Sequence, residues 1–372
     1  MPCFYAIGIG AYVGGAFLRD WVGGKGELNM SDTSVQQPGG RIARWDYAKL
    51  LLIFLVVWGH FLDKHTETEE AARIAYTVVY TFHMPLFLFI SGIFSKKNIN
   101  QKRYGNIAFY LVIYYVIKIL LCLSGWFEEE KFKFSLFSEH YIPWYAFALF
   151  VYSMVTILLR RGRPTYVLVC SVVLACFVGY DENVGSFLVL SKLLVFYPFF
   201  YLGYCMDGDK VLRALSGKGV KIVSAVLLVA FVVLVYRKID SIWEFQPLLI
   251  GKKCYVSAFE KEKYVQWGAL LRLGYYLAAG VVSAMVLSIV PEGKGGILAD
   301  LGSRSLQVYV LHGIFIKILY GKYHGEEWLF EMGKPVPGLF LAAIAAVITL
   351  FCALPVWDRI FAVLRRTTIQ EN

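Results

Sequence analysis

Apolar runs of about 17–25 residues recur along nearly the whole of this 372-residue chain. A run of that length is what an α-helix needs to cross a bilayer. In lipid, each backbone polar group must be satisfied within its own helix or a closed barrel. The pattern therefore predicts an all-α integral membrane protein. The 58% hydrophobic content and mean hydropathy of +0.58 do not fit a soluble globule, and no separate soluble domain stands out.

Length and hydropathy predict about ten spans. They run approximately over Tyr47–Leu62, Ile74–Ser95, Tyr104–Ser124, Tyr141–Leu159, Thr165–Tyr180, Phe187–Met206, Val220–Tyr236, Gln266–Val290, Ile297–Tyr320 and Gly338–Leu364. Loop charge then orients them. Lys96, Lys97, Lys102 and Arg103 follow span two; Arg160, Arg161 and Arg163 follow span four. Lys210, Arg213, Lys218 and Lys221 follow span six, and Arg365 and Arg366 end the last span. The alternate loops carry Glu128, Glu129 and Glu130, then Asp181 and Glu182, then Glu326 and Glu327. This alternation predicts both termini in the cytoplasm, with the chain in the cytoplasmic (inner) membrane. The same loops account for the net charge of +10 without nucleic acid as a partner. The loop between spans seven and eight is the exception, with Lys252, Lys253, Lys261 and Lys263 against Glu244, Glu260 and Glu262. It is also the longest extracytoplasmic segment and is placed to cover a site there.

Residues 41–366 read as one membrane domain, followed by a short tail at 367–372. Residues 1–40 read as an extension. Phe4–Leu18 is apolar but short, broken by glycines and preceded by no basic residue. It makes a poor signal peptide and a poor span. Met30 opens a polar stretch and is the expected alternative start. The seven cysteines are scattered, with no metal-ligand spacing, so free thiols and no metal are expected.

The stretch RWDYAKLLLIFLVVWGH, from Arg44 to His60, concentrates the chemistry. Lys49 and His60 are eleven residues apart. That spacing returns to within roughly 20° on a helix, about 16 Å further along its axis. Asp46 lies one turn before Lys49. Ionisable groups inside an apolar span are costly and usually face protein or a wet cavity. His83 and His312 also lie inside apolar runs, and Ser305 precedes His312 by a heptad. Three of the six histidines thus fall in predicted spans at similar depths, in the outer halves, and histidine suits proton transfer near neutral pH. Each has a plainer alternative: a packed histidine, an interfacial Lys49–Asp46 pair, a membrane anchor at Arg304, a kink at Pro85, close helix packing at Ser91–Gly92. No P-loop and no nucleophile elbow is present, which argues against ATP-driven transport and a serine hydrolase.

Four segments together resemble membrane acyltransferase family 3, and within it the fucose 4-O-acetylase-like sugar O-acetyltransferases. WDYAKLLLIFLVVWGH matches the opening motif, a basic residue followed by histidine, here Lys49 and His60. FHMPLFLFISGIF from Phe82, FYPFFYLGYCM from Phe196 and LGSRSLQVYVLHGIF from Leu301 are similar to later family segments. IPWYAFALF from Ile142 is a weaker echo. Many members carry two arginines three apart at the start of span three, whereas here Arg103 is followed by Asn106, with Lys102 beside it. Some relatives carry an esterase-like domain after the membrane part, and none is expected here, so transfer is expected to be completed by the membrane domain.

The resemblance implies acetyl-CoA as donor and a sugar hydroxyl of a cell-envelope glycan or lipid-linked saccharide as acceptor. Acyl transfer needs a base for the hydroxyl proton and a stabiliser for the oxyanion. His60 is the expected base. His83 and His312 are expected in oxyanion stabilisation, orientation or relay. Lys49, held by Asp46, would draw in the donor. Lys96, Lys97, Lys102 and Arg103 would meet its phosphates. Trp144, Tyr145, Ser305 and Tyr309 are expected to contact the acceptor. The alternatives are transfer of succinyl or another acyl group, a histidine-relay exporter of glycan or small anion, and a non-catalytic subunit. The oligomeric state is left open.

Overall fold

The computed structural model of the protein describes residues 42–125, 142–182, 190–321 and 338–368. The expectations for the N-terminal extension and Met30, for the Glu128–Glu130 and Glu326–Glu327 loops, and for residues 369–372 lie outside these residues. Every regular element among the described residues is helical.

Ala43–His65 (α1) and Glu70–Asn100 (α2) form an antiparallel hairpin. Trp45 meets Phe94 edge to face at 6.1 Å, so the start of α1 lies beside the end of α2. Pro85 sits inside α2 and cannot donate to the Thr81 carbonyl one turn back. Tyr104–Gly125 (α3), Trp144–Leu159 (α4), Pro164–Phe177 (α5) and Leu190–Cys205 (α6) follow. The short Gly208–Ala214 (α7) leads into Lys218–Arg237 (α8). Asp207 caps α7, accepting from the Asp209 and Lys210 amides.

Four short helices then cross one end of the bundle: Ile239–Trp243 (α9), Gln246–Ile250 (α10), Tyr255–Ala258 (α11) and Glu262–Gln266 (α12). Gly268–Ile289 (α13), Ile297–Ser303 (α14), Ser305–Gly321 (α15), Gly338–Cys352 (α16) and Asp358–Thr368 (α17) complete the chain.

Glycines set how closely the central helices approach. A Cβ on Gly92 of α2 would fall inside the Phe200 carbonyl of α6, and one on Gly203 of α6 inside the Phe89 carbonyl of α2. The two glycines make a reciprocal backbone contact of the small-residue kind that packs membrane helices. Gly302 of α14 lies in the same way against the Asp46 carbonyl of α1. The three segments FISG, YLGY and LGSR are thus, in part, packing motifs.

Arg44 closes one end. Its buried guanidinium donates to the Leu287 and Ser288 carbonyls at 2.9 and 3.0 Å, in the last turn of α13. It also donates to Ser216 at 2.7 Å and pairs with Glu292 at 3.3 Å. A cation on the last carbonyls of a helix satisfies acceptors the helix cannot.

Among the described residues, five helices are long and apolar enough to cross a membrane: α1, α2, α3, α8 and α13. A sixth crossing results if Leu339–Cys352 and Pro355–Thr368, bent by 42°, act together. Four more of the expected spans correspond to apolar helices of 10–17 residues: Trp144–Leu159, Pro164–Tyr180, Leu190–Cys205 and Ser305–Leu319. Two expected spans are broken. Ile297–Tyr320 divides at Arg304 into α14 and α15, where Arg304 pairs with Asp358 at 3.1 Å. Gly338–Leu364 divides before Pro355, which cannot continue the hydrogen-bond ladder. The outward side chains of α8, among them Ile222, Val226 and Val229, are exposed and apolar, as a lipid-facing helix requires. The six cysteines among the described residues are free thiols.

Candidate active site

α1, α2, α4, α6 and α15 enclose the bundle's ionisable interior. His60 of α1 and His312 of α15 stack ring to ring, with centroids 5.4 Å apart. His60 has His312, His83 and Lys192 as its electrostatic neighbours. The three histidines expected from three separate spans therefore share one region. Gly59 makes room for it: Tyr80 lies against its backbone, 3.0 Å from where a Cβ would stand, and Tyr80 meets the His83 ring edge-on at 4.6 Å.

The histidines are held by one local device. His83 Nδ1 lies 2.8 Å from the Val79 carbonyl, and His312 Nδ1 lies 2.9 Å from the Val308 carbonyl. A carbonyl only accepts, so Nδ1 carries the proton in each neutral ring and Nε2 presents a lone pair. His312 is fully buried and its Nε2 has no partner. A buried acceptor left unmatched is unfavourable and marks a position where a donor can dock. Among the described residues no three His, Cys, Asp or Glu side chains are grouped to hold a metal.

Aromatic side chains line the next layer. Tyr309 stands 6.2 Å from the His312 ring and 5.2 Å from Tyr145. Trp144 packs on Tyr145 and Phe196. The hydroxyl of Tyr309 is already committed: it donates to the Ile142 carbonyl at 2.9 Å and accepts from the Ala146 amide at 3.1 Å. The Ala146 amide, in the first turn of α4, is shared with the Pro143 carbonyl at 3.1 Å. The Ser91 hydroxyl donates to the Phe87 carbonyl at 2.8 Å, so Tyr145 donates to Ser91 at 2.7 Å. Both hydroxyl protons are thus committed within the protein, and the rings of Tyr145 and Tyr309 face the histidine cluster.

Lys49 and Asp46 form an ion pair at 2.7 Å, with Lys49 over the Phe94 ring at 4.7 Å. They sit near the start of α1, about 16 Å along the axis from His60. Ser305 is buried at the start of α15, about 10 Å along its helix from His312. Neither Lys49 nor Ser305 joins the ring cluster. Lys96 is half-buried and Lys97 exposed near the end of α2, while Lys102 and Arg103 are exposed just beyond it. Arg160 joins them there, donating to the Asn100 carbonyl. That end of the bundle is basic.

Lys192, near the start of α6, was not singled out by motif or spacing. It lies at 4.9 Å over the Trp144 ring and within electrostatic reach of His60. A lysine near a span end ordinarily reads as a boundary marker, and only the docking of α6 on α2 and α4 reveals its neighbours. At the same far end, Asp63 of α1 hydrogen-bonds Tyr76 of α2, and Gln246 of α10 reaches Tyr76 at 3.4 Å. The segment from α9 to α12 thus covers the end of the bundle opposite the basic one.

No curated protein and no solved structure matches the chain. A family model described as an acyltransferase domain matches residues 42–358, which takes in α1 through α16 and every histidine named above. The paired histidines, the basic end and the aromatic lining accordingly belong to a membrane acyltransferase, and the chain is a member of acyltransferase family 3, which includes sugar O-acetyltransferases.

Proposed function

We propose that this protein is a membrane-embedded O-acetyltransferase. It moves an acetyl group from cytoplasmic acetyl-CoA to a sugar hydroxyl of a cell-envelope glycan or lipid-linked saccharide. The observation that carries the reading is the His60–His312 pair, with an unpartnered lone-pair nitrogen on His312. In this reading the four shorter apolar helices and the broken elements complete ten crossings of the inner membrane, and the termini and the basic end face the cytoplasm.

The donor approaches from the basic end. Lys96, Lys97, Lys102 and Arg103 receive its phosphates, and the Lys49–Asp46 pair lines its approach. The acceptor enters from the opposite end, under the α9–α12 cover, and lies against the rings of Trp144 and Tyr145. The acceptor oxygen attacks the thioester carbonyl carbon. His60 takes the hydroxyl proton, and the Nε2 lone pair of His312 orients that hydroxyl or shares the proton. Burial keeps water from competing for the thioester.

Protein in lipid, given acetyl-labelled acetyl-CoA and an envelope-glycan extract, is expected to place label in a base-labile ester. Label from succinyl-CoA in place of acetyl-CoA would reassign the acyl group. Folded protein that transfers neither to several extracts contradicts the reading.

A further inference from the structure

Among the described side chains around the histidines, Lys192 is the cation without a match. It is half-buried, and among the described residues nothing accepts a hydrogen bond from its ammonium group and no carboxylate pairs with it. The acid within electrostatic range is Asp63, which is engaged by Tyr76. A partly buried ammonium group without protein partners gives up hydration that nothing in the protein replaces. Its position is nonetheless fixed. Its carbonyl accepts from Tyr152 at 3.3 Å, and Ser191 beside it donates to the Gly251 carbonyl at 2.9 Å. The Trp144 face holds the head of the side chain.

The chemistry of the site lacks what Lys192 offers. Collapse of a thioester through a tetrahedral intermediate needs donors aimed at the oxyanion. His83 and His312 spend their ring N–H groups on backbone carbonyls, so as neutral rings they offer lone pairs only. Lys192 offers three N–H donors and a full charge.

We propose that Lys192 is a catalytic residue whose ammonium group stabilises the oxyanion of the tetrahedral intermediate. The proposal rests on the acyl-transfer reading above. The acceptor oxygen forms a bond to the thioester carbon while its proton passes to His60. The carbonyl electron pair moves onto oxygen and is met by Lys192. The pair then returns, the carbon–sulfur bond breaks, and the leaving thiolate takes the proton back from His60. The products are the ester and the free thiol.

The test is steady-state acetyl transfer in lipid by wild type, Lys192→Met, Lys192→Gln and Lys192→Arg, with KM for donor and acceptor and thermal stability for each. Loss of one oxyanion donor is expected to lower kcat by ~10²–10³. Both KM values should stay within about threefold and stability should be unchanged, with Arg recovering at least tenfold over Met through its retained charge. If the Met variant does not insert, the Gln variant carries the comparison. An active wild type with Met or Gln variants of near-normal kcat overturns the proposal alone, as does a loss confined to the acceptor KM or to stability. A wild type that transfers no acyl group to any acceptor overturns the acyl-transfer reading, and this proposal with it.

Discussion

At the scale of single residues, the histidine cluster sorts its groups by which donors and acceptors are already engaged. His312 keeps a buried lone pair, and His60 faces it across 5.4 Å. Replacing His60 by Ala is expected to lower turnover by at least ~10³, and His312→Ala by about 10², with normal insertion of both. Single-turnover transfer with each purified variant measures this. Lys49 and Asp46 behave differently because they are a pair. Asp46 is buried and Lys49 keeps about a fifth of its side chain exposed. Lys49→Met removes the ammonium partner of the carboxylate and is expected to destabilise by roughly 2 kcal/mol, less than a fully buried pair would lose. Adding Asp46→Asn should recover part of that, as a thermal-unfolding double-mutant cycle would show.

Much of this residue-level site was legible in the chain, and for a physical reason. An ionisable side chain in an apolar run is expensive, so His60, His83 and His312 announce themselves without a structure. The commitments of their neighbours were not legible. The Tyr309 hydroxyl reads as an acceptor contact until α4 docks beneath it and takes it up. Lys192 is invisible for the converse reason, since its neighbours come from α1 and α4, more than 30 residues away in the chain.

At the scale of elements, backbone contact decides the packing. Gly92 and Gly203 each receive a carbonyl of the other's helix, and a carbonyl cannot rotate away as a flexible side chain can. Gly92→Ala or Gly203→Ala is expected to cost about 3 kcal/mol or more and to lower thermal stability before any effect on chemistry is seen. Near-wild-type melting of either protein in detergent would contradict the reciprocal contact. The spacing of the ten apolar runs was read from hydropathy, yet the breaks at Arg304 and before Pro355 were not. Hydropathy averages over a window and does not see that Arg304 is drawn to Asp358. Outside the spans, the Lys221 hydrogen bond, and then that of Ser216, hold Glu292 below its ordinary carboxylate pKa. A depressed carboxylate stabilises above its unfolded pKa and loses that contribution as pH falls through the folded one. The Arg44–Glu292–Lys221 tie is therefore intact at neutral pH and weakens on acidification. Glu292→Gln should flatten this acid-side loss in a melting series.

At the scale of the whole molecule, two unlike ends sit across one interior. One end gathers Lys97, Lys102, Arg103 and Arg160; the other is closed by α9 to α12. In the proposed function, donor and acceptor approach the histidines from these opposite ends. A cysteine placed at Lys102 is expected to react with an impermeant thiol reagent only after cells are opened, and one at Lys261 in intact cells. The reverse pattern would invert the topology and exchange the two entrances.

The central claim is that the facing pair of histidines is where the acyl group changes hands. Its most direct test is transfer of labelled acetyl from acetyl-CoA to envelope glycan by purified protein in lipid, with wild type and His60→Ala side by side. Label in a base-labile ester with wild type, and none above background with an equally folded His60→Ala, is the predicted result. Equal labelling by the two proteins would place the transfer elsewhere and contradict the account.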